Sequence, residues 1–150
     1  VRREYPDHPV LAVGAVVTRE AKVLLVKRGR DPGRGLWTLP GGAVHAGEAL
    51  KPAVARELGE ECGIEVAVED IAEVVERMFF DDGGRLRYHY VIIDYRARWL
   101  RGDPAPSKEV EEARWVDIAD LAHYRMTRGT ADLIRRLVAR QEDGLQCHEG

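Results

Sequence analysis

The sequence predicts a layered domain of the α/β class, in which strands of a mixed sheet are packed by helices. Three observations predict it. Runs of β-branched and apolar residues bounded by turn residues fill the beginning and middle of the chain, a segment with helical spacing interrupts them, and a second such segment follows them. A length of 150 residues with 45% apolar side chains suits one domain, so positions 1–150 are expected to form a single unit with a core that needs no metal or disulfide staple.

From Val10 to Val17 and from Lys22 to Lys27, apolar and β-branched residues flank the polar break Thr18-Arg19-Glu20-Ala21, the pattern of a β-hairpin. A turn-rich stretch, Arg28 to Gly35, leads into Leu36-Trp37-Thr38-Leu39-Pro40-Gly41-Gly42, where the proline and the glycines are expected to stop any regular element. Leu50, Ala53, Val54, Leu58 and Cys62 recur at helical spacing, predicting a helix over Ala49 to Cys62 that starts near Glu48 and ends at Gly63. Pro52 falls in its first turn, where a missing N–H costs little. Ile64 to Val68 and Ile71 to Phe80 read as strands, and Asp81-Asp82-Gly83-Gly84 turns into a strand from Leu86 to Trp99. A polar loop from Leu100 to Lys108 precedes a short strand at Ala113 to Val116 and a helix from Thr127 to Gln141, with fraying expected over 143–150.

Composition narrows the function. With 23 Lys+Arg against 26 Asp+Glu, interleaved along the chain, the formal charge is -3, so neither nucleic acid nor a membrane is expected as a partner. Cys62 and Cys147 stand far apart without a CxxC pattern, which points to no zinc site or disulfide framework and to a reducing, cytoplasmic setting.

The chemistry concentrates in Gly42 to Ile64. Glu57, Glu60 and Glu61 lie three and four positions apart, so they share a helix face, where like charges destabilise by about 0.2–0.5 kcal/mol per pair. They also crowd the C-terminal half, where carboxylates oppose the helix dipole. Arg56, four residues before Glu60, can pair with it, which leaves Glu57 and Glu61 without a cationic partner. A divalent cation held by these acids, with carbonyls from the Gly41-Gly42 loop beside them, accounts for the pattern; the alternative is a solvated acidic face.

The same residues carry a family resemblance. Gly42, five residues, Glu48, seven residues, then Arg56-Glu57-Leu58-x-Glu60-Glu61-x-Gly63-Ile64 resembles the signature of the Nudix hydrolases with every fixed position filled. Seven fixed identities at roughly 7% occurrence each would coincide about once in 10⁸ registers. The resemblance implies a Nudix-type α/β/α sandwich with a mixed sheet and Mg²⁺-dependent (or Mn²⁺-dependent) hydrolysis of a nucleoside diphosphate linked to another group. It implies that Glu57 and Glu61 ligate the metal, that Glu60 is a ligand or base, and that the Gly41 or Gly42 carbonyl is a further ligand. Arg56 is then structural, and Glu48 orients the loop over the helix start.

Some members of that family draw their general base from a loop outside the signature, which makes Glu109, ahead of Glu111 and Glu112, the candidate here. Arg28, with Arg30 and Arg34, is a candidate phosphate clamp. Trp37, Phe79, Phe80, Tyr88 and Tyr90 are candidate stacking partners for a nucleobase. The expected partner is a small nucleotide, with ADP-ribose preferred. Hydrolysis of noncanonical nucleoside triphosphates and a non-catalytic nucleotide-binding module are the alternatives, and a homodimer is compatible with the resemblance.

Overall fold

Residues 10–28 form the hairpin that organises the sheet. The computed structural model describes residues 2–148. Its elements are β1 (Val10–Arg19), β2 (Lys22–Arg28), β3 (Trp37–Thr38), β4 (Gly41–Ala43), α1 (Leu50–Cys62), β5 (Glu65–Phe80), β6 (Leu86–Arg101), β7 (Val110–Asp117) and α2 (Thr130–His148), with a 3₁₀ turn at Ile118–His123.

β1 and β2 are apolar on both faces, the mark of strands covered on both sides. Their alternation divides the core in two. Val13, Ala15 and Val17 of β1 and Leu24 of β2 pack with Ala53, Val54, Leu58 and Cys62 of α1. Val16, Val23 and Leu25 point the other way, toward Leu121 of the 3₁₀ turn and Leu133, Ile134 and Leu137 of α2. The result is a sheet between two helical layers. It is mixed, because β1 runs parallel to β6 along nine residue pairs, Val10↔Tyr90 to Thr18↔Arg98, and antiparallel to β2 and β4.

The register creates the opening that matters. β1 and β2 pair only at the hairpin tip, Thr18↔Val23 and Arg19↔Lys22. Beyond it β1 takes β4 as neighbour, through Ala12↔Ala43, Val13↔Gly42 and Gly14↔Gly41, while β2 pairs with β7. The two strands therefore part, and a cavity of about 1050 Å³ lies where they diverge, lined by β1, β4, β5, β6 and the approach to α2.

Several expectations need correction. Pro40 and the glycines do not end regular structure, because Gly41–Ala43 forms β4 against β1. The strands expected at 64–68 and 71–80 are one strand, β5, whose register shifts between Val68 and Glu73 absorb the polar Glu69-Asp70. The last strand begins at Val110 rather than Ala113, so Glu111 and Glu112 are strand residues. α2 spans Thr130–His148, so it begins at Thr130 rather than Thr127; of the tail 143–150, residues 149–150 lie outside the described residues. α1 ends as expected, with Gly63 at φ 72° donating its N–H to the Gly59 carbonyl.

Two glycines should respond oppositely to alanine. A Cβ at Gly41 would run into the Val13 carbonyl and the Gly14 Cα, whereas one at Gly59, inside α1, meets nothing within 4 Å. Chemical denaturation should show Gly41→Ala losing more than about 2 kcal/mol and Gly59→Ala gaining about 0.5–1 kcal/mol.

Candidate active site

α1 carries its acids to β4 because its apolar stripe is fixed in the core, which leaves the opposite residues facing the glycine strand. Glu57 reaches that strand at Gly42, where any Cβ would collide with the carboxylate. Glu61 reaches it at Gly41, whose N–H donates to Glu61 Oε2 at 3.0 Å. Glycine is thus required twice, once for strand approach and once for the carboxylate.

Arg56 ties this arrangement to the loop before the helix. Its Nε and Nη2 donate to the two Glu48 carboxylate oxygens at 2.7 and 2.9 Å, and Nη2 also donates to the Ala43 carbonyl at 3.0 Å. Glu48 accepts the His45 backbone N–H as well, and with the Arg56 guanidinium as chief cause its carboxyl is held down to about 2. The expectation that Arg56 serves Glu60 alone is corrected: its Nη1 lies 2.9 Å from Glu57 Oε1 and 3.1 Å from Glu60 Oε2.

Glu61 has no such partner. It makes no ion pair among the described residues, and burial, reinforced by the charges of Glu57 and Glu109, pushes its carboxyl up to about 7 against the pull of the Gly41 N–H and Arg28. Glu57 is also raised, by burial first, although Arg56 opposes the shift. Glu60 is 61% exposed, pairs with Arg56, and like Glu57 is not among the residues that line the cavity. Glu109 lines the cavity from the residue before β7, and its carboxylate pairs with Arg30 at 2.9 Å. Glu111 and Glu112 lie instead within 3.9 Å of Lys27.

Among the described residues no three His, Cys, Asp or Glu side chains close into a ligating cluster. The donor chemistry nevertheless fits a hard dication. Two half-buried carboxylates lie against glycine backbone with a third in their field, all are oxygen donors, and the net local charge is negative.

The substrate candidates divide between the cavity and other surroundings. Arg28 lines the cavity, and burial lowers its guanidinium's hold on the proton; its Nε donates to the Pro32 carbonyl at 2.6 Å. Phe79 and Tyr90 line the cavity too, while Tyr88 is buried beside them. Phe80 does not: at the end of β5, past a register shift between Phe79 and Phe80, it is 61% exposed. Trp37 does not either, because it packs edge-on against Tyr124 in the α2-side core. Arg34 donates to the Gly29 carbonyl at the loop. Sequence reasoning missed Asp94, Arg77, Thr127 and Thr130, all on the cavity wall. A lone acid within the apolar run Val91-Ile92-Ile93-Asp94-Tyr95 was the available signal for the first.

Comparison with known proteins places these features in a family. The NUDIX domain model matches residues 8–137. An ADP-ribose pyrophosphatase of Methanocaldococcus jannaschii is 32% identical over 114 residues, covering 76% of this chain and 65% of that protein, just under two thirds of its length. A putative 8-oxo-dGTP diphosphatase 2 of Mycobacterium tuberculosis is 37% identical over 143 residues, covering 85% of this chain and 96% of that protein. The crystal structure of a MutT NUDIX hydrolase from Burkholderia pseudomallei superposes with a TM-score of 0.74 at 31% identity, covering 86% of this chain and 98% of that one. No helix among the described residues is long and apolar enough to cross a membrane.

The buried acids make stability depend on pH. Glu61, shifted from 4.5 to about 7, and Asp94, shifted from 3.8 to about 6, retain protons in the folded state that the unfolded chain has released. Stability in chelator should therefore fall as pH rises through those windows. Thermal melts in chelator should show Tm dropping by several degrees between pH 5 and 8, with Glu61→Gln flattening the fall above pH 6. Added Mg²⁺ should raise Tm most at pH 8. A Tm that rises with pH in chelator would contradict the account.

Proposed function

The chain belongs to the Nudix family of hydrolases, enzymes acting on nucleotide pyrophosphates, and from that premise we propose that it cleaves the P–O–P linkage of a nucleoside diphosphate joined to another group, as one catalytic domain. The observation that carries this reading is Glu61, a half-buried carboxylate with no ion pair among the described residues, set at the glycine strand where the cavity opens. Nudix hydrolases generally use divalent metals, and Mg²⁺ is the ion proposed here, with Mn²⁺ as substitute.

Glu57 and Glu61 would hold the ion, with a carbonyl of Gly41 or Gly42 as a further donor. The bound ion supplies charge neutralisation of the diphosphate oxygens and a more acidic water. The chain's own groups do the positioning. Arg56 fixes the Glu57 carboxylate and, through Glu48, the loop that carries β4. Arg28 binds a phosphate oxygen with the guanidinium nitrogens that its Pro32 contact leaves over. Glu109 accepts the proton of the attacking water, a role in which its pairing with Arg30 is exchanged for contact with substrate. Glu60 supports the site from its solvent side. Phe79 and Tyr90 offer faces to the nucleobase.

Two finer substrates are favoured by the relatives. The name of the Methanocaldococcus protein favours ADP-ribose, which would yield AMP and ribose 5-phosphate; that of the Mycobacterium protein favours an oxidised nucleoside triphosphate, which would yield a nucleoside monophosphate and pyrophosphate. The small-nucleotide partner follows from either, and a location in the cytoplasm and a homodimer are compatible with both.

Product analysis across a nucleotide panel tests the proposal. Mg²⁺-dependent release of phosphorylated products is expected, abolished by chelator, and release of pyrophosphate against two monophosphates separates the substrates. Glu61→Gln should lose at least about a hundredfold in kcat while keeping its fold, as loss of a metal ligand does. Glu109→Gln should lose about 10²–10⁴-fold, the range of a general base. Turnover unaffected by chelator, or near-normal activity of Glu61→Gln, would overturn the assignment.

A further inference from the structure

Asp94 is a second buried carboxylate on the cavity wall, and nothing in the glutamate cluster explains it. It is 7% exposed and accepts no hydrogen bond among the described residues. β6 places it beside Gly14 of β1 in the parallel register, and a Cβ on Gly14 would overlap Asp94 Oδ1, so the missing side chain at 14 makes room for the carboxylate. The neighbouring charges are committed elsewhere. Glu73, its partner across the β5–β6 ladder, pairs with Arg136 at 2.9 Å. Arg77 donates to the carbonyls of Arg128 at 2.7 Å and Glu76 at 3.2 Å.

A carboxylate given no donor by the protein takes its hydrogen bonds from what fills the cavity, water in the empty site and the N–H groups of a ligand when one binds. On the same face of β6 as Asp94, Tyr90 and Ile92 line the cavity, and Val75 and Phe79 of β5 stand beside them, so the carboxylate adjoins apolar and aromatic surface that suits a base, with Arg77, Thr127 and Thr130 as the polar residues of the wall. We propose that Asp94 determines specificity by accepting two hydrogen bonds from a nucleobase edge with adjacent N–H donors, the N1–H and 2-amino group of guanine. Adenine and cytosine each set one amino donor beside a ring-nitrogen acceptor, whose lone pair faces the carboxylate unfavourably. Uracil offers a single N–H between carbonyls. This inference deepens the proposed function and rests on the cavity being the nucleotide site; of the two finer substrates it selects against ADP-ribose, whose base is adenine.

Calorimetric titration in chelator, where no turnover occurs, tests it with GDP, IDP, ADP and 2′-deoxy-GDP. GDP should bind on the order of 10–100-fold more tightly than IDP, which lacks only the 2-amino group, and than ADP; 2′-deoxy-GDP should match GDP. In Asp94→Asn the GDP preference should collapse to within about threefold, while the unliganded variant melts at or above the wild-type temperature because a buried charge is gone. Should that variant fail to fold, the GDP, IDP and ADP comparison on the wild-type protein decides alone. Equal affinity for the three bases would overturn the inference, as would loss of affinity for 2′-deoxy-GDP, which would assign the carboxylate to the ribose hydroxyls. Base-independent binding with Mg²⁺-dependent hydrolysis intact overturns only this inference; absence of both binding and hydrolysis overturns the proposed function with it.

Discussion

A carboxylate pressed into glycine backbone is the contact on which the site depends. Glu61 sits against the Gly41 N–H and Glu57 against the face of Gly42 that lacks a side chain, and both are drawn out of water by α1 docking on the sheet. The packing of Leu58 and Cys62 turns the acids inward, so burial of the apolar stripe and burial of the carboxylates are one event. The electrostatic strain this leaves is relieved unequally. Arg56 answers Glu57 and Glu60, whereas Glu61, without an ion pair among the described residues, has its carboxyl pushed up to about 7 by its surroundings.

The strands supply the space that makes those acids useful. Were β1 and β2 paired along their length, β4 could not lie against Gly14 and no cleft would form. Their divergence opens the cavity that Glu61 of α1 and Asp94 of β6 both line, Glu61 held at Gly41 of β4 and Asp94 set beside Gly14, the residue of β1 that pairs with Gly41.

Much of this was legible in the sequence because it rests on local pattern. The helical spacing of Leu50 to Cys62, the terminator at Gly63 and the motif from Gly42 to Ile64 are all short-range features, and they located the acids on one face beside the glycines. What could not be read depends on pairing between distant segments. β4 exists only because β1 offers it an edge, so the Pro40-Gly41-Gly42 run looked like a break. The division of Arg56 among three acids depends on the loop folding back from Ala43 to Glu48. Trp37, Phe79 and Phe80 were indistinguishable as aromatics until the fold assigned each its surroundings, and Asp94 acquires its meaning only from Gly14, 80 positions earlier in the chain.

Diffraction from crystals soaked in Mn²⁺, with its anomalous signal, measures the central contact directly. The account predicts a peak bounded by the carboxylates of Glu57 and Glu61 and the backbone of Gly41-Gly42, weakened or lost in crystals of Glu61→Gln. A protein that hydrolyses its substrate with Mn²⁺ yet shows no peak there would contradict it.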